Sequence, residues 1–122
     1  MLLLLTALAG GAGGAARFSV DTWVAGHNRL SLPVGTWVVN ASACLLLGFV
    51  TGALASHASW QDLQQVLGMG FLGGYSTFST ASVEGARLMA EGRYWAGLVH
   101  AGGMLLSSLV LATLGVALGA AV

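Results

Sequence analysis

Eight charged residues among 122, and the long gaps between them, constrain this chain more than any other feature. They are Arg17, Asp21, Arg29, Asp62, Glu84, Arg87, Glu91 and Arg93. Uncharged stretches fill residues 1 to 16, 30 to 61, 63 to 83 and 94 to 122. A helix needs about 20 mostly apolar residues to cross a bilayer. The spacing therefore predicts four spans, near 2–20, 33–56, 63–90 and 94–121, in one domain covering 1–122. A typical soluble domain is about 25% charged, whereas this chain is 7% charged and 57% hydrophobic. It reads as an all-α membrane protein surrounded by lipid. With zero formal net charge it offers no electrostatic footing for nucleic acid.

The connections are on the order of ten residues or fewer, too short for a soluble domain between spans. "LLLLTALAGGAGGAA" ends in small residues but lacks the positive n-region of a signal peptide, so it is expected to stay as the first span. Pro33 suits the first turn of the second helix, where its missing N–H costs nothing. Ser59 or Asp62 suits the cap of the third. Arg17, Arg29, Arg87 and Arg93 flank the two loops on one side, and the positive-inside rule puts those loops in the cytoplasm. His27 and His57 are expected in or near solvated loops. Cys44 is alone, which excludes an intrachain disulfide, and no Cys/His cluster has zinc spacing. Four helices of this length cannot enclose a large solvated cavity, which directs a transport path to an oligomer interface.

The third span is the irregular one. "GMGFLGGYSTFST" concentrates Gly68, Gly70, Gly73 and Gly74 before four hydroxyls. Two readings stand open. A helix break would use the glycines for unusual dihedrals and free carbonyls toward a cation. A regular helix would use them for close packing. Ser76, Thr77, Ser79 and Thr80 offer hydroxyl donors, and the ring edge of Phe78 carries positive potential. Such groups suit a small anion, although each hydroxyl taken singly can simply bond back to its own helix. Asn40 lies mid-span, where an amide needs a partner; it either clips helices together or meets a substrate. Arg17 either snorkels or pairs with an acid, and Glu84 is expected to pair with Arg87.

Three segments, "GGAGGAAR" at 10–17, "PVGTWVVNASACLLLG" at 33–48 and "GFLGGYSTFSTASVE" at 70–84, together resemble the Fluc/CrcB fluoride channel family. The resemblance implies a passive fluoride-selective channel of the bacterial cell membrane that lowers cytoplasmic fluoride. It implies a third helix broken at its centre and an antiparallel, dual-topology dimer with two pores along the interface. It also implies a structural, non-permeating Na⁺ held by backbone carbonyls at Gly73 and Ser76. The matching pathway positions are Asn40, Phe78, Ser79, Thr80, His100 and Ser108, with Arg17 and Glu84 in structural or electrostatic roles. A dry pore for a strongly hydrated anion needs preorganised donors and no anionic walls, which neutral amides and hydroxyls supply.

Two departures stand out. Ala81 replaces the second Phe of the family's motif, and His100 and Met104 replace a Tyr and a pore Ser. Charging an imidazole at 100 would attract anions, while a neutral one would only stand in for Tyr. The missing aromatic raises a heterodimer with a paralogous subunit as the alternative to the favoured homodimer. The rival functions are a proton-coupled small multidrug exporter, which needs an intramembrane acid, and a non-conducting partner subunit. An enzyme is not expected, because no nucleophile, base and orienting group occur at readable spacing.

Overall fold

The computed structural model describes residues 1–55 and 58–122, and among these it is helical throughout, with no strand. The order is α1 (Leu2–His27), α2 (Val34–Leu54), a 3₁₀ turn (Ala58–Trp60), α3 (Gln61–Gln64), a π-helical stretch (Gln65–Leu72), α4 (Gly73–Tyr75), α5 (Ser79–Ala90) and α6 (Tyr94–Ala120). Three of these helices, α1, α2 and α6, are long and apolar enough to cross a membrane. Their continuous backbone ladders pair main-chain groups within each helix, which is what lipid demands of a spanning segment. The expected loop residue His57 and the expected span end at Ser56 lie outside the described residues.

The helix ends correct several expectations. α1 runs past residue 20 to His27, carrying Arg17 and Asp21 within the helix. His27 is its last residue, exposed beside the loop as expected, and its ring Nδ1 bonds the Trp23 carbonyl at 2.8 Å. Asn28 then turns the chain: its Oδ1 accepts from Leu30 N at 2.8 Å and its Nδ2 donates to Leu32 O at 2.7 Å. Pro33 sits just outside α2 rather than in its first turn, with φ −76° and ψ 81°. Neither Ser59 nor Asp62 stands at the cap of α3, whose N-cap position is Trp60. Between α5 and α6, Gly92 at φ +75° closes α5 with Gly92 N bonded to Met89 O at 3.0 Å and Arg93 N to Leu88 O at 2.9 Å. These bonds satisfy carbonyls that the helix end would leave unpaired.

The most extensive packing joins α2 and α6. Gly48 and Gly52 on α2 lie against the Ala112 and Val116 carbonyls, and Gly115 and Gly119 on α6 lie reciprocally against those of Leu45 and Phe49. Side chains four residues apart share a helix face, so two i,i+4 glycine pairs let the backbones touch along one seam. Any Cβ there would overlap a carbonyl oxygen. In lipid, where apolar side chains gain little by leaving the solvent, such close contact is a main source of helix adhesion. Higher in the seam Trp37 covers Gly103, and its Nε1–H donates to Ser107 Oγ at 2.8 Å.

α1 packs in the same manner on the segment after α3. Gly13 lies against the Phe71 carbonyl, Gly74 against that of Gly10, and Gly70 against that of Thr6. Gly92 is the one positive-φ glycine among the described residues, so Gly68, Gly70, Gly73 and Gly74 do not use the left-handed conformations expected of a glycine break. They provide close approach instead. A small buried cluster of Val39, Ala43, Leu72 and Tyr75 sits where α1, α2 and this segment meet.

Candidate functional site

The helical path between Gln61 and Ala90 is interrupted at Ser76, Thr77 and Phe78, one turn after the glycines. Ser76 has φ −72° and ψ 159°, an extended residue that lifts the chain out of the helix. Its N–H still donates to Leu72 O at 2.9 Å. Thr77 N, in contrast, donates to Asn40 Oδ1 at 2.8 Å, and Asn40 Nδ2 returns a bond to Thr77 O at 2.8 Å. The amide thereby supplies both the donor and the acceptor that the interrupted backbone lacks. Asn40 thus acts as a clip between α2 and the interruption. Its Nδ2 also reaches Met104 Sδ on α6 at 3.3 Å.

This arrangement has a consequence for Gly73. Its carbonyl would accept from Ser76 N or Thr77 N in a continuous helix, and both donors are committed elsewhere. Below the interruption Thr77 Oγ1 accepts from Thr80 N at 3.2 Å, donates to Thr80 Oγ1 at 3.2 Å and lies 3.3 Å from Ser79 Oγ. Thr77 therefore starts α5 with its own side chain. Ser82 bonds back to Phe78 O at 2.8 Å, as an ordinary helical hydroxyl does.

Two cavities border the interruption. The larger, about 360 Å³, lies between α2, α5 and α6 and is bordered by Asn40, Ser76, Thr77, Phe78, His100 and Ser108, among others. Ala81 and Met104 border it as well. Among the described residues no carboxylate, Lys or Arg lines it. The smaller, about 200 Å³, is bordered by Arg17, Asp21, Thr36, Thr77 and Thr80. Thr77 is the wall between the two.

The expected site residues thus divide. Asn40, Phe78, His100 and Ser108 gather at the larger cavity, while Thr80 and Arg17 face the smaller. Ser79 is exposed and touches the network through Thr77. Phe78 is 88% exposed at the cavity rim.

Glu84 is not paired with Arg87 as the helical spacing suggested. Among the described residues its Oε1 accepts from Thr36 Oγ1 at 2.8 Å, and its Oε2 lies 3.5 Å from His100 Nε2. α5 turns Glu84 inward toward α2 and α6, while Arg87 stays exposed. Thr36 was not singled out from sequence. Its signal was position: Thr36, Asn40 and Cys44 recur every four residues on one face of α2. His100 is 1% exposed, and the Trp37 ring meets it edge-on at a centroid distance of 6.3 Å.

Comparison with known proteins places this geometry in context. The family model described as CrcB-like protein, Camphor Resistance (CrcB) matches residues 4–120. A protein of Cutibacterium acnes named fluoride-specific ion channel FluC 2 is 42% identical, with all of both chains covered. FluC 1 of Leifsonia xyli subsp. xyli is 39% identical over 98% of this chain and 87% of the relative. A FluC of Nitratidesulfovibrio vulgaris is 40% identical over 96% of this chain and 95% of that one.

Proposed function

This chain belongs to the CrcB family, and from that premise we propose that it is a fluoride-selective channel, a multi-pass membrane protein rather than an enzyme. The observation that carries the reading is the larger cavity at the interruption, bordered by neutral amide and hydroxyl groups and by no carboxylate. An anion that sheds its water needs donors in place and no negative wall, and a fixed set of neutral dipoles supplies that at low cost of reorganisation. A proton-coupled drug exporter would need an acid inside its substrate path.

The finer reading assigns the segment from Gln61 to Ala90 as a third passage through the bilayer, broken at Ser76 to Phe78. It takes the active form to be an antiparallel dual-topology homodimer, with a paralogous subunit as the alternative partner. The exposed ring of Phe78 supports a partner surface at that point. Carbonyls of Gly73 and Ser76 would hold a structural Na⁺, which supplies a fixed positive charge that draws anions inward. The fit is favourable because both ladder donors of the Gly73 carbonyl are bonded to other acceptors. The physiological role assigned is passive fluoride efflux across the bacterial inner membrane.

The test is fluoride-electrode efflux from vesicles carrying the purified protein, repeated with chloride. Rapid fluoride release with little chloride release is expected; equal rates for the two anions would sink the selectivity.

A further inference from the structure

We propose that His100 is an anion-binding residue whose ring must take up a second proton before it can host fluoride, which makes the conductance of this channel rise as pH falls. The proposal rests on the channel reading and deepens it. Three observations meet at this ring. It is 1% exposed and borders the larger cavity. Among the described residues neither of its nitrogens has a hydrogen-bond partner, and neither does Glu84 Oε2. Its Nε2 faces that oxygen at 3.5 Å, and its Cδ2 lies over Gly85, so this edge of the ring is turned to α5. Nδ1 stands on the opposite edge, away from α5.

A neutral imidazole carries one N–H and one lone pair. With the proton on Nε2 it can satisfy Glu84, but Nδ1 then presents a lone pair that repels an anion. With the proton on Nδ1 an anion is welcomed, but the Nε2 lone pair faces the carboxylate oxygen. The imidazolium alone donates on both edges at once, and its charge is balanced by Glu84. Anion binding and proton binding at this ring are therefore linked, each favouring the other.

The other groups that bear on the pair do not replace this proton. Arg87, on the same helix as Glu84, is exposed, and Asp21 on α1 lines the smaller cavity with Thr36. From α2 the ring meets Trp37, and Asn40 and the Cys44 thiol line its cavity. Thr36 is already committed to the other carboxylate oxygen.

The same geometry gives an unusual expectation for Glu84→Gln. A carboxamide placed there would accept from Thr36 through its oxygen and donate to His100 Nε2 through its nitrogen. The neutral ring could then keep its single proton on Nδ1, and the second proton would no longer be needed.

The experiment is valinomycin-driven fluoride efflux from vesicles at pH 6, 7 and 8, corrected by protein-free vesicles for permeation of hydrogen fluoride. For the wild type, efflux at pH 6 is expected to exceed that at pH 8 severalfold or more, up to the limit of about a hundredfold that two pH units set for a single proton. For Glu84→Gln and His100→Gln the ratio is expected to fall to about 1, since neither leaves a ring proton that must be gained. A flat wild-type profile, or a wild-type slope kept by His100→Gln, overturns the proposal. A second measurement does not need conduction: adding NaF to weakly buffered protein in detergent should take up as much as one proton per chain, and NaCl none. Absence of flux at every pH would refute the channel reading, and proton uptake would then decide the inference alone. No uptake with NaF overturns it.

Discussion

The seam between α2 and α6 and the interruption at Ser76 to Phe78 solve opposite problems in the same bundle. At the seam both helices keep their ladders, so nothing polar needs a partner, and adhesion comes from backbone approach at Gly48, Gly52, Gly115 and Gly119. At the interruption the ladder fails, and side chains must replace it: Asn40 serves Thr77 N and O, and Thr77 Oγ1 serves Thr80 N. The seam tolerates no added atom, whereas the interruption tolerates no lost hydrogen bond. The proposed function lies with the second, because freed dipoles and a cavity are what an ion can use.

The contrast breaks first at Asn40. Asn40→Leu leaves Thr77 N and O unpaired in a dry setting, at about 1–3 kcal/mol for each group. Thermal unfolding in detergent should move sharply downward and fluoride efflux should vanish. Retention of both would mean that the interruption is not held by the amide.

A smaller loss is expected at the seam. Gly115→Ala drives a Cβ into the Leu45 carbonyl, so α2 and α6 must separate, at about 1–3 kcal/mol. The unfolding midpoint should fall while the fluoride-over-chloride ratio stays unchanged. A changed ratio at unchanged stability would erase the division of labour between the two regions.

The smallest effect is expected outside both. Arg93 donates through Nη2 to Ser31 O at 2.8 Å and to Ser31 Oγ at 3.0 Å on the exposed side of the bundle. Arg93→Ala should change stability by no more than about 0.5 kcal/mol and leave efflux as it was. A large loss would make this loop clasp a third structural region.

The glycine run shows how the sequence can identify the place and mistake the device. "GMGFLGG" marked the segment where packing departs from a plain helix, and a π-helical stretch does occupy Gln65–Leu72. The glycines there serve contact with α1, and the chain leaves the helix only at Ser76. Composition alone could not separate those uses, because a missing Cβ permits both. Glu84 illustrates the same limit. Arg87 is its neighbour by helical spacing, yet Thr36 and His100 reach it across the bundle.

Charge spacing and hydroxyl clustering by themselves determined that this chain is an all-helical membrane protein with its polar chemistry near Gly73 to Thr80. That much follows because lipid excludes charge and unpaired backbone, rules that act on local stretches of any chain. The tertiary structure decided which carbonyl is left free, which amide replaces the broken ladder, and which carboxylate faces His100. Those outcomes depend on contacts between residues 16 to 64 positions apart, and only the packed helices bring such partners within a few ångströms of one another.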